Sequence, residues 1–562
     1  MISVSGKHWD EIKVSKRTIE KIKTENNFSE IVSKIIIDRN FDKTEIFSIN
    51  NDIELNNPFL KNSDFESSFR TLDNCIKNNG KILIVGDYDV DGFVATSLVI
   101  KLLKFLKYSY DFYIPDRIKD GYGASLTLIK KLCQNKPDLI IMLDCGSNSN
   151  DTIDFLNKNE IKSIIIDHHE IYKPYPKTNN LINPKKECTY NYLNYLCSSA
   201  LTYFFIDFFL KKKKIIHKFS ENLIYVLLAT VTDIMPLRRI NRTIAKNVLK
   251  NFDITKNEIF NSIYKIKNKK NPLNIYDLGF LIGPILNSSG RIGEPKKSVE
   301  LLISQDLNKQ KKIIIDLVNL NEKRKLYEKN IIKEINLSKI ASEKKNIIIF
   351  KIQNINEGLI GIIASKIKDY FNKPTIIFTN SGSLLKGSAR STEEFNIGKY
   401  IKIALDKNLI KSGGGHNLAA GITLEMTKYN NFKNFIFENY LINIETKTKK
   451  YISKLNFSSI NKSFLYDLKR LEPFGPYNQK PIFLIENLKV IKSTIIKKKY
   501  LNCILKSSSN KTIRAISFNF LDSKVNEILM NYKNNINVIF QINENLGVNK
   551  NTLQLNIIDI II

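Results

Sequence analysis

Residues 81–92 read KILIVGDYDVDG, and this stretch constrains the fold more than any other part of the chain. An apolar run ends in a glycine and in three aspartates at alternate positions, Asp87, Asp89 and Asp91, and an apolar pattern of helical length begins at Phe93. This order predicts a strand, a tight turn and a helix. Alternate side chains of an extended segment share one side, so the three carboxylates would repel one another without a divalent cation between them.

Two other interpretations compete for this stretch. A solvated acidic turn without metal accounts for the same residues, and the stretch alone leaves that interpretation open. A calcium loop of the EF-hand type also begins Asp-x-Asp-x-Asp-Gly, but its twelfth position must be Glu, and counting from Asp87 reaches Leu98. The apolar strand before the turn is also wrong for a helix–loop–helix motif, so a calcium loop is excluded.

Further acidic and imidazole groups follow later apolar runs. Asp144 comes directly after one run, and Asp167, His168 and His169 come directly after another. Asp233 stands near the end of an apolar stretch of helical pattern. Because ligands of parallel α/β sheets gather at the carboxyl ends of the strands, we expect these side chains to meet.

The chemistry of these residues favours metal-assisted phosphoryl transfer. Carboxylates with imidazole suit Mn²⁺ or Mg²⁺ better than zinc. There are more acidic groups than one ion needs, which indicates two ions that stabilise the attacking and leaving oxygens of a displacement. The sequence has no Gly-x-x-x-x-Gly-Lys loop and no apparent Ser or Cys nucleophile motif. These features predict a two-metal phosphoesterase.

The charge, cysteine content and apolar windows of the chain limit its possible partners and compartment. The formal net charge of +31 indicates a polyanionic partner, although AT-rich codons also favour the abundant Lys, Ile and Asn. Six cysteines form no Cys-x-x-Cys pair, which argues against a disulfide scaffold or a zinc module. With no apolar window of roughly 18 residues and no signal-peptide pattern, we expect a cytoplasmic protein without a membrane partner.

The pattern of apolar runs divides the 562 residues into parts of mainly α/β class. We expect an N-terminal extension (1–55), a parallel-sheet α/β domain (56–300), a long connecting helix (301–340), a second α/β domain (341–450) and a C-terminal β-barrel (451–562).

The motifs GDYDVDG, LDCG, DHH and the TD of VTDIMPL, in this order, resemble those of the DHH phosphoesterase superfamily. Other stretches resemble its RecJ family of single-strand-specific DNA exonucleases: IPDRIKDGYG (114–123), GPILNSSGR (283–291), GLIGIIASKI (358–367), KGSARS (386–391), GGGHNLAAG (413–421) and LEPFGPYNQKPIF (471–483). The resemblance runs from about residue 75 to the C-terminus. It implies a DHH domain, a long helix, a DHH-associated domain and an oligonucleotide-binding (OB) barrel.

The resemblance also implies roles for single residues. The implied ligands of two Mn²⁺ or Mg²⁺ ions are Asp89, Asp91, Asp144, His168 and Asp233. Asp87 and Asp167 are either further ligands or groups that orient the ligands, and His169 resembles the histidine that faces the scissile phosphate. The implied substrate-binding residues are Arg117, Asn287, Arg291, Ser388, Arg390 and His416.

The substrate-binding residues suit recognition of a terminal 5′-phosphate. Ser388 and Arg390 are two apart, so both face the same way on an extended strand. Arginine forks can bind two phosphate oxygens, although each arginine alone is as well explained as a surface charge. His416 follows three glycines whose bare backbone can approach phosphate, although a structural turn explains the same pattern.

As a whole, the resemblance implies a 5′-to-3′ exonuclease that releases mononucleotides from single-stranded DNA in repair and recombination. Helicases and single-strand-binding protein are the implied partners, and a monomer is expected. The chain departs from the family's usual pattern in reading NSSGR at 287–291 and in having Asn356-Glu357 where Trp-His is frequent. The alternative function is a DHH phosphodiesterase for short RNA or cyclic dinucleotides, which usually lacks an OB barrel. A non-catalytic scaffold is disfavoured because the Asp and His set is intact.

Overall fold

The computed structural model describes residues 1–121, 123–186, 192–335, 340, 345–442, 448–521, 523–531, 534–545 and 552–562. These residues form two compact units. The larger unit spans residues 53–442, and the smaller unit combines residues 1–52 with residues from 443 onward.

The larger unit begins with a sheet of five parallel strands, which confirms the predicted parallel α/β fold. The strands in their order across the sheet are Asp111–Tyr113, Ile82–Gly86, Leu139–Leu143, Lys162–Ile166 and Leu181–Ile182. Apart from Lys162 and Ser163, the side chains of the three central strands are apolar and buried, because parallel sheets are covered by helices on both faces.

Helices surround this sheet and supply several residues that are considered below. The first set is Ser63–Lys77, Val90–Phe105, Leu126–Leu132, Asn150–Lys158, Ser198–Lys212 and Leu223–Thr232. The second set is Arg239–Asn251, Glu258–Ile266, Ile275–Asp277, the π-helix Leu278–Ile282, Gly283–Ile292 and Lys296–Ile303. Helix Val90–Phe105 is buried along most of its length between Ser198–Lys212 and Leu223–Thr232, so its first turn is rigidly placed.

The long helix Leu307–Glu334 lies within the segment 301–340, for which a long connecting helix was predicted. The buried Glu328 accepts from Lys366 at 2.8 Å and pairs with Arg324 at 2.9 Å, which fixes the helix against Glu357–Phe371. Across the described residues, this helix included, no helix is both long enough and apolar enough to span a bilayer.

The second sheet of the larger unit is mixed, as expected for another α/β part. Its strands, in order, are Ser412–His416, Ala419–Glu425, Leu384–Arg390, Thr375–Ser381 and Ile348–Lys351. Only the last pair of neighbours is parallel. The helices beside it are Glu357–Phe371, Ile397–Asp406 and Tyr429–Ile442.

The smaller unit contains a closed five-stranded barrel, which confirms the predicted C-terminal β-barrel. Its strands, in order around the barrel, are Phe483–Ile496, Tyr500–Lys506, Thr512–Ser517, Thr552–Ile561 and Ile536–Asn545. The helices of the smaller unit are Lys16–Asn26, Glu30–Asp38, Lys43–Asn50, Lys462–Lys469 and Lys524–Asn531.

The structure corrects the interpretation of residues 1–55 as an extension, because residues 1–52 are part of the smaller unit. Strand Trp9–Glu11 pairs in parallel with Lys449–Tyr451, and Val32, Ile35 and Ile36 lie in the same apolar core as the barrel. The sequence could not show this, because the contacting residues are more than 400 positions apart.

A buried carboxylate fastens this N-terminal segment to the last barrel strand. Asp559 accepts hydrogen bonds from Trp9 Nε1 at 3.0 Å and Ser5 Oγ at 2.5 Å, and it is fully buried. Trp9 is the single tryptophan of the chain, so its fluorescence reports on the smaller unit alone.

We expect Asp559→Ala to lower the free energy of unfolding of the smaller unit by about 1–3 kcal/mol, because it leaves the buried Trp9 Nε1 donor unpaired. Urea unfolding followed by Trp9 fluorescence measures this change. Asp559→Asn retains an acceptor and should cost less, and Asp10→Ala, at an exposed position of the same N-terminal strand, is the control. Equal midpoints for wild type and Asp559→Ala would contradict the prediction.

Candidate metal centre and end-binding site

The predicted strand-end residues do meet at one edge of the first sheet. Asp87 follows strand Ile82–Gly86, Asp144 follows Leu139–Leu143, and Asp167 follows Lys162–Ile166. These three strands are adjacent, so their carboxyl ends lie side by side.

Helix ends bring the remaining members to the same place. Asp233 directly follows helix Leu223–Thr232. Asp89 caps helix Val90–Phe105 by accepting from the backbone N–H groups of Asp91 and Gly92 at 3.0 and 3.2 Å. A Cβ at Gly92 would stand 2.4 Å from the Asp87 carbonyl oxygen, so the turn can close only with glycine there.

The side chains form three overlapping groups whose ligand atoms lie within 4.8 Å of one another. The groups are Asp87, Asp89 and Asp144; Asp91, His168 and Asp233; and Asp144, His168 and His169. His168 Nε2 is central, because it lies 3.7 Å from Asp91 Oδ2, 3.5 Å from Asp144 Oδ1 and 3.3 Å from Asp233 Oδ2.

The carboxylates of this cluster repel one another in a buried setting. Burial, followed by the charge of Asp89, raises the pKa of Asp87 to about 8. Burial, followed by the charge of Asp91, raises the pKa values of both Asp144 and Asp233 well above the ordinary range. A cation between these groups would offset both costs.

Buried ligand atoms without hydrogen-bond partners provide a test of whether metal ions fit here. Among the described residues, these atoms include Asp87 Oδ1 and both ring nitrogens of His168. Burial, followed by the charge of His169, holds the pKa of His168 well below its usual value, so the imidazole is neutral and has a free lone pair. Carboxylate oxygens with a neutral imidazole suit Mn²⁺ or Mg²⁺, so the donor set fits these ions.

Asp144 has a strained backbone that serves this geometry. Its φ of 62° lies in the left-handed region, which Asp tolerates better than most residues. Its N–H donates to the Ile166 carbonyl at 2.9 Å, so the turn after one strand is attached to the next strand. Such strain costs on the order of 1–3 kcal/mol and is typical of functional sites.

Asp167 has a different environment from the other carboxylates. Its Oδ1 lies 2.8 Å from His169 Nδ1, and it accepts the N–H groups of His168 and Ser147 at 2.8 and 3.0 Å. Although burial acts to raise its pKa, the hydrogen bond with His169 and the charge of that ring hold the pKa well below the usual range. This environment favours an orienting role for Asp167 over ligation.

His169 is the reciprocal partner in this pair. Burial acts to lower its pKa, but the hydrogen bond with Asp167 and the charge of that carboxylate outweigh burial and raise the pKa to about 9. The ring is partly exposed, and a pKa of about 9 favours its protonated form at neutral pH.

Sequence reasoning missed Ser198 and Ser199, which begin a helix directly behind the cluster. Their backbone N–H groups donate to the two Asp91 carboxylate oxygens, each at 2.8 Å. Ser198 Oγ donates to Asp144 Oδ1 at 2.9 Å. A helix N-terminus favours a negative charge, so this contact orients Asp91 and partly stabilises its ionised form. The sequence signal was a pair of serines at a helix start, which is common at helix caps.

A cluster of arginines lies next to the acidic turn. Burial, followed by the charges of Arg117, Arg324 and Arg390, lowers the pKa of Arg291 to about 10. Arg390 Nη1 donates to Ser388 Oγ at 3.1 Å on strand Leu384–Arg390, so the predicted pair does share one face.

Tyr88 connects the arginines to the aspartates, and the sequence analysis did not single it out. The Arg117 guanidinium lies 4.3 Å from the centre of the Tyr88 ring, and Tyr88 stands between Asp87 and Asp89. A Cβ at Gly290 would lie 1.8 Å from the Tyr88 carbonyl oxygen, which explains glycine before Arg291.

Two predicted substrate residues have structural contacts of their own. Asn287 Oδ1 accepts from the Val90 N–H at 3.0 Å, so this side chain helps to hold the acidic turn. His416 ends strand Ser412–His416, is mostly exposed, and lies 3.9 Å from Glu170 Oε1. Burial, followed by the charge of Lys185, lowers the pKa of His416.

Comparisons with known proteins agree with this architecture. Family models match the DHH family N-terminal domain at residues 81–231, the DHHA1 domain at 344–440 and the RecJ OB domain at 453–559. The single-stranded-DNA-specific exonuclease RecJ of Bacillus subtilis is 27% identical over 495 residues, covering 86% of this chain and 62% of that protein. The Haemophilus influenzae RecJ is 29% identical, covering 63% of this chain and 65% of that protein.

The fold agrees as well. The crystal structure of Thermus thermophilus RecJ in complex with Mn²⁺ superimposes with a TM-score of 0.83 at 19% identity, over 99% of this chain and 79% of that one. The chain spans less than two thirds of the length of each of these two curated relatives. The chain is thus similar to RecJ proteins and matches the DHH, DHHA1 and RecJ OB domain models in that order along its length.

Proposed function

We propose that the protein is a single-stranded-DNA-specific exonuclease that hydrolyses DNA from the 5′ end with two Mn²⁺ or Mg²⁺ ions and releases mononucleotides. The observation that supports this most is the adjacency of a metal-type acidic cluster and an arginine cluster, joined at Tyr88. The relatives named as single-stranded-DNA-specific exonucleases support the same activity.

The residues that would hold the ions are Asp89, Asp91, Asp144, His168 and Asp233, with the unpartnered Asp87 Oδ1 as a further donor. When bound, such ions activate water and stabilise the negative charge that develops on a phosphate. The protein's part is to fix the donors before the ions arrive. Ser198 and Ser199 do this for Asp91 and Asp144.

His169 is the proposed contact to the phosphate that is cleaved. Its pKa of about 9 keeps it protonated at neutral pH, so the ring can donate a hydrogen bond to a phosphate oxygen. Asp167 Oδ1 lies 2.8 Å from Nδ1, so the contact to the phosphate is proposed for Nε2. Asp167 is thus proposed as the group that orients the phosphate contact.

Arg117, Arg291, Arg390 and Ser388 are proposed to bind the 5′-phosphate. Burial, followed by the charge of Arg117, lowers the pKa values of both Arg291 and Arg390, and a phosphate dianion would relieve the repulsion among these arginines. Cleavage after the first nucleotide would leave a new 5′-phosphate on the shortened strand. The same end group would then be available for the next cycle, which suits repeated release of single nucleotides.

The barrel favours a long strand over very short RNA or cyclic dinucleotides. Barrels of the OB type bind single strands through aromatic stacking and a basic groove. A dinucleotide enzyme needs no such surface, so the matched RecJ OB domain supports DNA strands as the substrate. A role in repair and recombination, with a helicase and a single-strand-binding protein as partners, belongs to this proposal.

With Mn²⁺ or Mg²⁺ present, we expect immediate release of labelled mononucleotide from a 5′-labelled single DNA strand. Duplex DNA and length-matched RNA should be spared, because both lack a flexible deoxyribose strand that can thread into the site. Gel analysis of 5′- and 3′-labelled strands measures this. Preference for RNA of a few nucleotides would instead support the alternative function.

We expect His168→Ala to reduce hydrolysis at least about a hundredfold and to weaken Mn²⁺ binding, because the ring lies among three carboxylates. Calorimetric titration with Mn²⁺ reads the binding separately from turnover. His217→Ala is the matched control, since this exposed ring meets Phe105 edge to face outside the cluster. Unchanged Mn²⁺ affinity in His168→Ala would remove His168 from the ligand set.

We expect Arg390→Ala to lower the ratio of rates on 5′-phosphorylated and 5′-hydroxyl strands by about tenfold, which is the effect of one lost charged hydrogen bond. The two strands are compared in parallel with the same label position. Arg70→Ala serves as the control, because Arg70 is exposed and pairs with Glu66. A ratio that matches the wild-type value would refute the role of Arg390.

A further inference from the structure

Two large aromatic rings lie exposed and stacked on the larger unit. The ring centres of Tyr276 and Phe280 are 4.6 Å apart with planes at 25°. Their exposed fractions are 67% and 71%, respectively. Residues four apart on a helix share one face, so the two rings form one surface, which we call the aromatic pair.

The aromatic pair stands on a rigid base. Between its members, the buried Asp277 accepts from Tyr264 Oη at 2.7 Å and pairs with Lys269 at 2.6 Å. The neighbouring Leu278 and Ile282 are fully buried on the other side of the helix. A π-helix begins at Leu278, and such turns occur frequently at functional sites. The rings are therefore presented outward by an anchored segment.

The segment that carries the aromatic pair leads directly to the metal centre. Helical structure is continuous over Ile275–Ile292, and its later part supplies two of the predicted substrate residues. A Cβ at Gly283 would lie 2.1 Å from Cγ2 of Thr232, the residue before Asp233. This close contact keeps the Cα atoms of Phe280 and Asp233 within roughly 16 Å of each other.

We propose that the aromatic pair is a stacking platform for a base of the single strand whose 5′ end lies in the metal centre. This inference rests on the proposed function and adds a contact a few nucleotides from that end. Flat aromatic faces accept any base, which suits an enzyme that must pass every sequence. The exposed Lys270 follows Lys269, which pairs with Asp277 between the two rings, so these lysines add positive charge near the pair for the phosphates.

The size of the surface favours a base over a protein partner. Two rings offer much less apolar area than the several hundred Å² that mark a protein-binding patch. A single base covers one ring face, so the dimensions match. The neighbouring lysines complement a polyanion, and continuity with the proposed site puts a DNA strand within reach.

The experiment measures binding of a fluorescent 5′-phosphorylated oligonucleotide in EDTA, so that no cleavage occurs. One abasic position is moved along the first few nucleotides of the strand. We expect Phe280→Ala to weaken binding of the intact strand by about tenfold. At one position along the strand, an abasic nucleotide should weaken binding by wild type to a similar extent. The same abasic nucleotide should not weaken binding by Phe280→Ala any further. Phe280→Trp should restore the affinity, and Tyr276→Ala gives an independent test of the pair.

Phe105→Ala is the matched control. Phe105 is also an exposed ring beside another ring, since it meets His217 edge to face at 4.3 Å between ring centres. It ends the helix whose first turn carries the acidic residues, so it lies about 20 Å from them. Its affinity should equal that of wild type. Losses that add at every abasic position, or an equal loss in Phe105→Ala, would overturn the platform.

Other outcomes separate this inference from the proposed function. Wild-type protein that neither binds nor cleaves single strands would refute the proposed function itself. Cleavage by wild type together with unchanged affinity in Phe280→Ala would overturn the platform alone. Loss of self-association without loss of DNA affinity would assign the aromatic pair to a second copy of the chain, which also overturns it. Equal melting temperatures establish that each variant is folded.

Discussion

Electrostatic repulsion among buried carboxylates is the constraint on which the rest of this structure depends. Burial and neighbouring charges raise the pKa values of Asp87, Asp144 and Asp233, so the isolated cluster opposes its own ionisation. The backbone N–H groups of Ser198 and Ser199, at the start of a helix, offset part of this cost by donating to the Asp91 carboxylate. Divalent cations would supply the remainder, and the rigid sheet keeps the donors in place for them.

The arginine cluster has the opposite charge, and like the acidic cluster it holds groups of the same charge close together. Arg291 is buried among three other guanidinium groups, which lowers its pKa to about 10. Each cluster consists of like charges that repel one another without a counter-charge, and the two clusters lie next to each other around Tyr88. A terminal phosphate among the arginines, with a second phosphate at the metal ions, would reduce the repulsion within both clusters. Part of the affinity for such a ligand would therefore come from reducing the repulsion that already exists within each cluster of the folded protein.

Much of this architecture could be predicted because its signals are local. An apolar run that ends in Asp144 shows both the strand and the strand-end ligand in adjacent letters. The contact between Ser198 and Asp91 could not be predicted, because 107 positions separate them and serine at a helix start is common. Asn287 was predicted to bind the substrate, and its side-chain Oδ1 also accepts the Val90 N–H. That contact could not be predicted, because a family motif shows which residue is present and not what it contacts.

The union of residues 1–52 with residues from 443 onward has a consequence for synthesis of the chain. Roughly 390 residues separate the two parts of the smaller unit, which at about 5–20 residues per second corresponds to some 20–80 s of translation. During that interval the apolar side chains of Val32, Ile35 and Ile36 have none of their barrel partners. The core that these side chains share with the barrel can therefore form only after the residues from 443 onward have been synthesised.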